Sequence, residues 1–295
     1  MRTLLYSIAF YAAASSLLAD ESKPWNVRDH IPIQEITVQA HRGAGVLAPE
    51  NSLDAFEIAW NLGVIPEADI RMTKDGVIVA FHDNDFSRIL PTASEEMKKK
   101  GVKDMTFEEI QKLDIGAWKG RDFEGQRIPS MEEIVDVLKQ YPQRKIYVDI
   151  KNVDFEQLAL ETRGVHPQMI LASTKYEEIE RWKKAAPTSY TLHWMGGTEA
   201  QLTERLERLK ENNFRGVDQL QIHVRIDEKG NFTPGEAFLT KTGGTLRKYG
   251  ILFQVLPWEG KETGIYRRLL DLGVASFATD YPDVTMRAIA EHYAQ

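Results

Sequence analysis

The residues of this chain best placed to do chemistry are three carboxylates and two imidazoles, each near the end of an apolar run. In EADIRMTKDGVIVAFHD (67–83), Glu67 and Asp69 are separated by one residue, a turn intervenes at Thr73-Lys74-Asp75-Gly76, and the return run ends on His82-Asp83. Side chains alternate faces along a strand, so Glu67 and Asp69 point the same way. Asp149, late in KIYVDI (145–150), is a third acid at an equivalent level on the next strand. Carboxylates held this close repel unless a cation or a shared proton compensates, and three such ligands suit one hard divalent ion, Ca²⁺ or Mg²⁺. Strand-end salt bridges with Arg71 or Lys151 are the structural alternative.

His41 ends the run TVQAH and His82 ends the return run, both beside the acids. Two imidazoles facing one substrate can divide the work, one removing a proton and the other protonating the leaving group. Arg42 adjoins His41, and Lys151 lies two positions beyond Asp149. A guanidinium, an ammonium and a divalent cation around one pocket would hold a phosphate through charge-assisted contacts. Reactions at phosphorus depend on positioning and on neutralising developing negative charge. The constellation therefore fits phosphodiester cleavage better than proton abstraction from carbon.

Eight β-branched or aromatic runs must carry these groups: 37–41, 64–72, 145–150, 169–174, 189–194, 220–226, 251–256 and 275–280. Helical patterns lie between most of them, for example LDAFEIAWNL after Ser52 and EAQLTERLERLKEN (199–212). Strands alternating with helical crossovers predict an α/β protein, a (β/α)₈ TIM barrel, with a doubly wound open sheet as the other possibility. The run VIVAFHD follows its predecessor too closely for a parallel crossover, so the two form a β-hairpin extension. Counting from the turn, His82 returns roughly opposite Glu67. Residues 83–130 read as an inserted lid segment.

The 295 residues carry a formal charge of −7, with no basic block, which argues against nucleic-acid binding. The first residues, MRTLLYSIAFYAAASSLLADES, combine an early Arg, an apolar run and small residues before Asp20. They read as a secretory signal peptide over 1–19, leaving one domain over 20–295 that is periplasmic or secreted and not stably inserted in a membrane. An uncleaved anchor is the alternative. The absence of Cys excludes disulfides and a thiol nucleophile.

Among the other candidates, His193 and Trp194 end one strand and could line its mouth, although a core or rim role fits them better. His223, inside LQIHVRI, and His166 read as structural, and His292 as solvated on the terminal helix. Asp280, at the last strand end, either supports the site or caps a turn. GGT (196–198) and GGTLRKYG (243–250) resemble phosphate loops by composition only.

Taken in order, HRGAGVLAPENS (41–52), EADIRMTKDGVIVAFHD (67–83), the segment 104–138, YVDIK (147–151) and FATDYPD (277–283) resemble the glycerophosphodiester phosphodiesterases. The likeness is dense to Lys151, thin over 152–274, and clear again at the end. It implies hydrolysis of glycerophosphodiesters to glycerol 3-phosphate and an alcohol. By the same resemblance, metal ligands fall on Glu67, Asp69 and Asp149, catalytic histidines on His41 and His82, and phosphate contacts on Arg42 and Lys151. Glu50 and Asn51 match a segment that orders the site. Three features depart from the family pattern: Asp149 stands where Glu is usual, Ile89-Leu90-Pro91 follow Arg88, and ILFQVLPWEG does not clearly reproduce the tryptophan strand, for which Trp258 can substitute. The other readings are a related barrel of the sphingomyelinase D or phospholipase C kind acting on an intact lysolipid, and a non-catalytic barrel that binds phosphate-bearing ligands. The alcohol, the choice of metal and the oligomeric state stay open.

Overall fold

The computed structural model describes residues 25–295, so the expected leader lies outside the described residues. In chain order the strands are β1 (Thr37–Ala40), β2 (Ile65–Met72), β3 (Ile78–Ala80), β4 (Ile146–Asn152), β5 (Met169–Ser173), β6 (Tyr190–Met195), β7 (Gln219–Ile226), β8 (Phe232–Thr233), β9 (Leu252–Pro257) and β10 (Ser276–Thr279). β1, β2, β4, β5, β6, β7, β9 and β10 pair in parallel in that order, and β10 pairs with β1 to close the ring. This is the expected (β/α)₈ barrel. β3 is the expected antiparallel return against β2, and β8 makes a second such return against β7.

Strand parity separates two layers. Outward positions such as Ala68, Ile70, Val148, Leu171, Ile222 and Val255 pack under the helices in the main apolar core. The alternate positions Tyr147, Ile170, Ala172 and Leu192 fill the barrel interior. There the Tyr147 hydroxyl donates to Gln219 Oε1 (2.7 Å), and Gln254 Nε2 donates to Tyr147 Oη (3.3 Å) and Ser276 Oγ (2.9 Å). That polar floor lies one inward layer below Asp69 and Asp149, with Tyr147 in register with Glu67.

Residues 83–130 build a small apolar cluster of their own, Phe86, Ile89, Val102, Met105, Ile110, Ile115 and Ile128, against Val79 and Phe81. Its helical pieces are short, Glu95–Lys98 and Phe107–Ile110, the second closed by a Thr106/Glu109 capping box. Lys119 Nζ donates to the Ala48 carbonyl (2.7 Å), and Gln126 Nε2 to Asp54 (2.9 Å), tying the segment to the loop after β1.

GGTLRKYG, a phosphate loop by composition only, is mostly the end of the helix Glu236–Lys248, in which a Cβ at Gly243 would come within 3.2 Å of the Phe253 ring. One expectation is corrected: His292 is not solvated, because the terminal helix Pro282–Tyr293 turns it inward, where it is 2% exposed. No described helix is long and apolar enough to cross a membrane.

Candidate active site

The C-terminal side of the barrel, with the β3 return, brings all seven predicted residues, His41, Arg42, Glu67, Asp69, His82, Asp149 and Lys151, to one cavity of about 210 Å³. Asp69 and Asp149 are direct register partners on β2 and β4. Glu67, Asp69 and Asp149 each offer an oxygen within 4.8 Å of the others. The shorter Asp149 thus still closes the cluster, and three converging carboxylates form a donor set suited to a hard divalent cation.

The loop between β1 and the helix Leu53–Asn61 aims these acids. Arg42 and Asn51 have φ of 52° and 54°, a left-handed geometry uncommon outside glycine. The turn points the Arg42 N–H at Glu67 Oε2 (2.7 Å). Asn51 grips Asp69 twice, donating to Oδ2 (3.0 Å) and accepting from its backbone N–H (2.8 Å). Lys151 Nζ lies 2.6 Å from Asp149 and 3.0 Å from Asp69.

Charge is crowded here. Burial, then repulsion from Asp69, pushes the Glu67 carboxyl up to about 8. Burial also raises Asp149, against the opposing pull of Lys151. Burial works the same way on Asp69, but Lys151 and the Asn51 hydrogen bond oppose it, and Asp69 is held below its ordinary range. One ammonium therefore does not satisfy three buried acids, and a further cation would lower the cost of ionising Glu67.

Each histidine turns Nδ1 to a carboxylate: His41 to Asp280 and His82 to Asp83, both at 2.7 Å. Asp280 is thereby a supporting residue and not only a turn cap. Burial opposes charge on His41, but the Asp280 hydrogen bond and the charges of Glu67 and Asp280 prevail, raising it to about 9. Nε2 of His82 lies 2.9 Å from Arg42 Nη2. A guanidinium can only donate, so Nε2 accepts, and the His82 proton sits on Nδ1 facing Asp83.

The His82 side is braced by the 83–130 segment. Arg88 donates to Asp83 through Nε (2.8 Å) and to both oxygens of Glu50 (2.7 Å each), while Glu50 also meets Arg42 at 3.3 Å. Arg71 on β2 donates twice to the His82 carbonyl, at 3.0 and 2.6 Å. By extension of the β2–β3 register, His82 comes opposite Ala68, one residue from the expected partner.

His223 is not merely structural. It lines the cavity together with Trp194, Gln221, Leu256 and Trp258. β7 runs on to Ile226, where it meets β8, so its middle stands at the level where other strands end. Residues 41, 149, 223 and 280 share the inward parity of their strands, and that shared parity at strand ends is the signal by which Asp280 and His223 could have been found. His193 has the opposite parity and is buried, donating from Nδ1 to the Ser173 carbonyl (3.0 Å).

A (β/α)₈ barrel with three carboxylates and two carboxylate-backed histidines at its C-terminal mouth has the apparatus of a phosphoric-ester hydrolase. The chain belongs to the glycerophosphoryl diester phosphodiesterase family, whose sequence model matches residues 41–284. It is 28% identical over 258 residues to YhdW of Bacillus subtilis, covering 84% of this chain and 96% of that one. A glycerophosphodiester phosphodiesterase of the same organism is 24% identical over 283 residues, 86% of each chain. Among solved structures, an Oleispira antarctica phosphodiesterase in complex with the product sn-glycerol-3-phosphate superposes with a TM-score of 0.65 at 23% identity, covering 86% of this chain and 96% of that one.

Proposed function

We propose that this protein hydrolyses glycerophosphodiesters to glycerol 3-phosphate and an alcohol, in a reaction dependent on a divalent cation at Glu67, Asp69 and Asp149. The observation that carries the reading is the pair of carboxylate-backed histidines lining one cavity with the acidic cluster. When bound, the cation would neutralise charge on the phosphoryl group. Arg42 and Lys151 would bind the phosphate oxygens.

His82, once its Nε2 exchanges the Arg42 contact for the substrate, takes the proton of the glycerol 2-hydroxyl as that oxygen attacks phosphorus. His41, as imidazolium, gives its proton to the departing alcohol oxygen. A cyclic phosphate and a free alcohol result. In the second half, neutral His41 accepts a proton from water as the water oxygen attacks phosphorus, and His82 returns its proton to the 2-hydroxyl. One water is consumed, and both rings regain their starting state. Asp280 and Asp83 keep each Nε2 turned into the cavity.

We read residues 20–295 as one domain, exported to a periplasm or secreted after removal of 1–19, in keeping with the leader-like composition of that stretch. Fractionation of the expressed protein tests this. The reaction is tested by release of glycerol 3-phosphate from a panel of diesters with Ca²⁺, Mg²⁺ or chelator. Metal-dependent release, lost in His41→Ala and His82→Ala, is the expected result. No release by folded, metal-loaded protein would overturn it.

A further inference from the structure

A second cavity, of about 280 Å³, opens beside the first and shares Asp149, Lys151 and Trp194 with it. Apart from Trp194 and Ile150 its walls are polar. Its two acids are answered within the wall. Asp149 takes Lys151 Nζ at 2.6 Å and a hydrogen bond from Trp194, while Glu178 takes Ser173 Oγ through one oxygen (2.5 Å) and Lys175 Nζ through the other (2.9 Å). The cations keep donors in reserve. Arg71 spends Nε and Nη2 on the His82 carbonyl, and its Nη1 makes no hydrogen bond among the described residues. The Lys175 ammonium has three protons and gives one of them to Glu178.

We propose that this cavity is a second phosphate subsite, which receives a phosphate carried on the free primary hydroxyl of the substrate's glycerol. The statement rests on the function proposed above and narrows its substrates to diesters whose glycerol is anionic rather than acylated. Position favours the glycerol half of the substrate. Arg71 holds the His82 carbonyl, Asn84 follows His82 by two residues, and Lys175 stands just beyond the end of β5, so the cavity lies on the side of the base. His41, the donor to the departing alcohol, does not line it. With the glycerol 2-hydroxyl at His82 and the phosphoryl group at Lys151, the remaining primary carbon turns toward the shared wall. A phosphate on that carbon meets the Lys175 ammonium, the unspent Arg71 N–H and the Thr174 hydroxyl in charge-assisted bonds. An acyl chain there would strip water from the same groups and replace none of its hydrogen bonds.

The test uses the methyl diester of glycerol 3-phosphate with its C1 hydroxyl free, phosphorylated or converted to an octyl ether. Wild type should favour the phosphorylated compound over the free one by about tenfold in kcat/KM, mostly through KM, and turn over the octyl ether least. Lys175→Glu should bring the phosphorylated compound down to the level of the free one, and Lys175→Arg should keep the preference. Equal kcat/KM for the phosphorylated and free compounds in wild type, a preference for the octyl ether, or equal proportional losses on both in Lys175→Glu would overturn the proposal. Calorimetric titration of the metal-loaded protein with glycerol 1,3-bisphosphate and with glycerol 3-phosphate reads the cavity without turnover. Were none of the diesters hydrolysed, the reaction proposed above would fall, and binding of the bisphosphate about tenfold tighter, lost in Lys175→Glu, would still uphold the subsite. Equal binding of the two by wild type would overturn it.

Discussion

His41 and His82 have the same local arrangement, an Nδ1 held at 2.7 Å by an aspartate, and opposite surroundings. His41 stands at the end of a barrel strand, and its aspartate comes from the neighbouring strand end, so the closed ring fixes both. His82 stands beyond the short hairpin strand β3, and its aspartate is the next residue, braced by Arg88 from the inserted segment. Buried negative charge raises His41, whereas a guanidinium faces Nε2 of His82. Equivalent motifs thus meet opposite charge on the far side of each ring, and it is this difference that suits them to the acid and base roles proposed above.

Removing either ring should cost most: His41→Ala and His82→Ala are each expected to lower kcat by about 10³-fold with the fold retained, measured by steady-state kinetics and circular dichroism. A loss in only one of them would break the division of labour. Next come the aspartates. Asp280→Asn should reduce kcat by about 10²-fold and move the alkaline limb of the pH–rate profile downward, because the hydrogen bond that raises His41 is weakened. Asp83→Asn should leave that limb in place.

The pH dependence itself has a definite sign. His41 is raised from 6.5 to about 9, so acid catalysis by it is complete at neutral pH and falls as pH rises through about 9. The same shift makes His41 a source of stability that is full below about 6.5 and lost as pH climbs to about 9. Urea titrations of wild type and His41→Gln between those pH values would converge at the alkaline end if this holds. Arg88→Ala should have a smaller effect, about fivefold in kcat/KM, as expected for a partly exposed ion pair. The smallest catalytic effect is expected at the barrel floor, where Tyr147→Phe should cost about 1–2 kcal/mol of stability by removing a buried donor and leave turnover near wild type.

Much of this arrangement is legible in the residues. The alternation in β2 put Glu67 and Asp69 on one face, and the short turn after it forced a hairpin that returned His82 to within one position of its expected place. Less accessible were partners contributed from far along the chain. Asp280 sits 239 residues from His41, and no local pattern distinguishes a strand-end carboxylate that orients a ring from one that caps a turn. His223 was obscured by strand length, since β7 continues past the mouth into its own hairpin. Helix Glu236–Lys248 was obscured by glycines whose value lies in close packing on Phe253 rather than in flexibility. The Glu50–Arg88–Asp83 brace needed the inserted segment to be folded before its connections could be seen.

The pairing of β1 with β10 has a consequence for how the protein comes into being. The His41 backbone N–H donates to the Thr279 carbonyl at 2.9 Å, and the His41 ring reaches Asp280 only across that seam. β2 and β4 with their carboxylates emerge from the ribosome by about the middle of the chain, long before β10 does. A nascent or prematurely terminated chain can therefore collect its acids and still lack an oriented, charged His41. Orientation of the His41 ring thus waits on β10, the last of the described strands to be made.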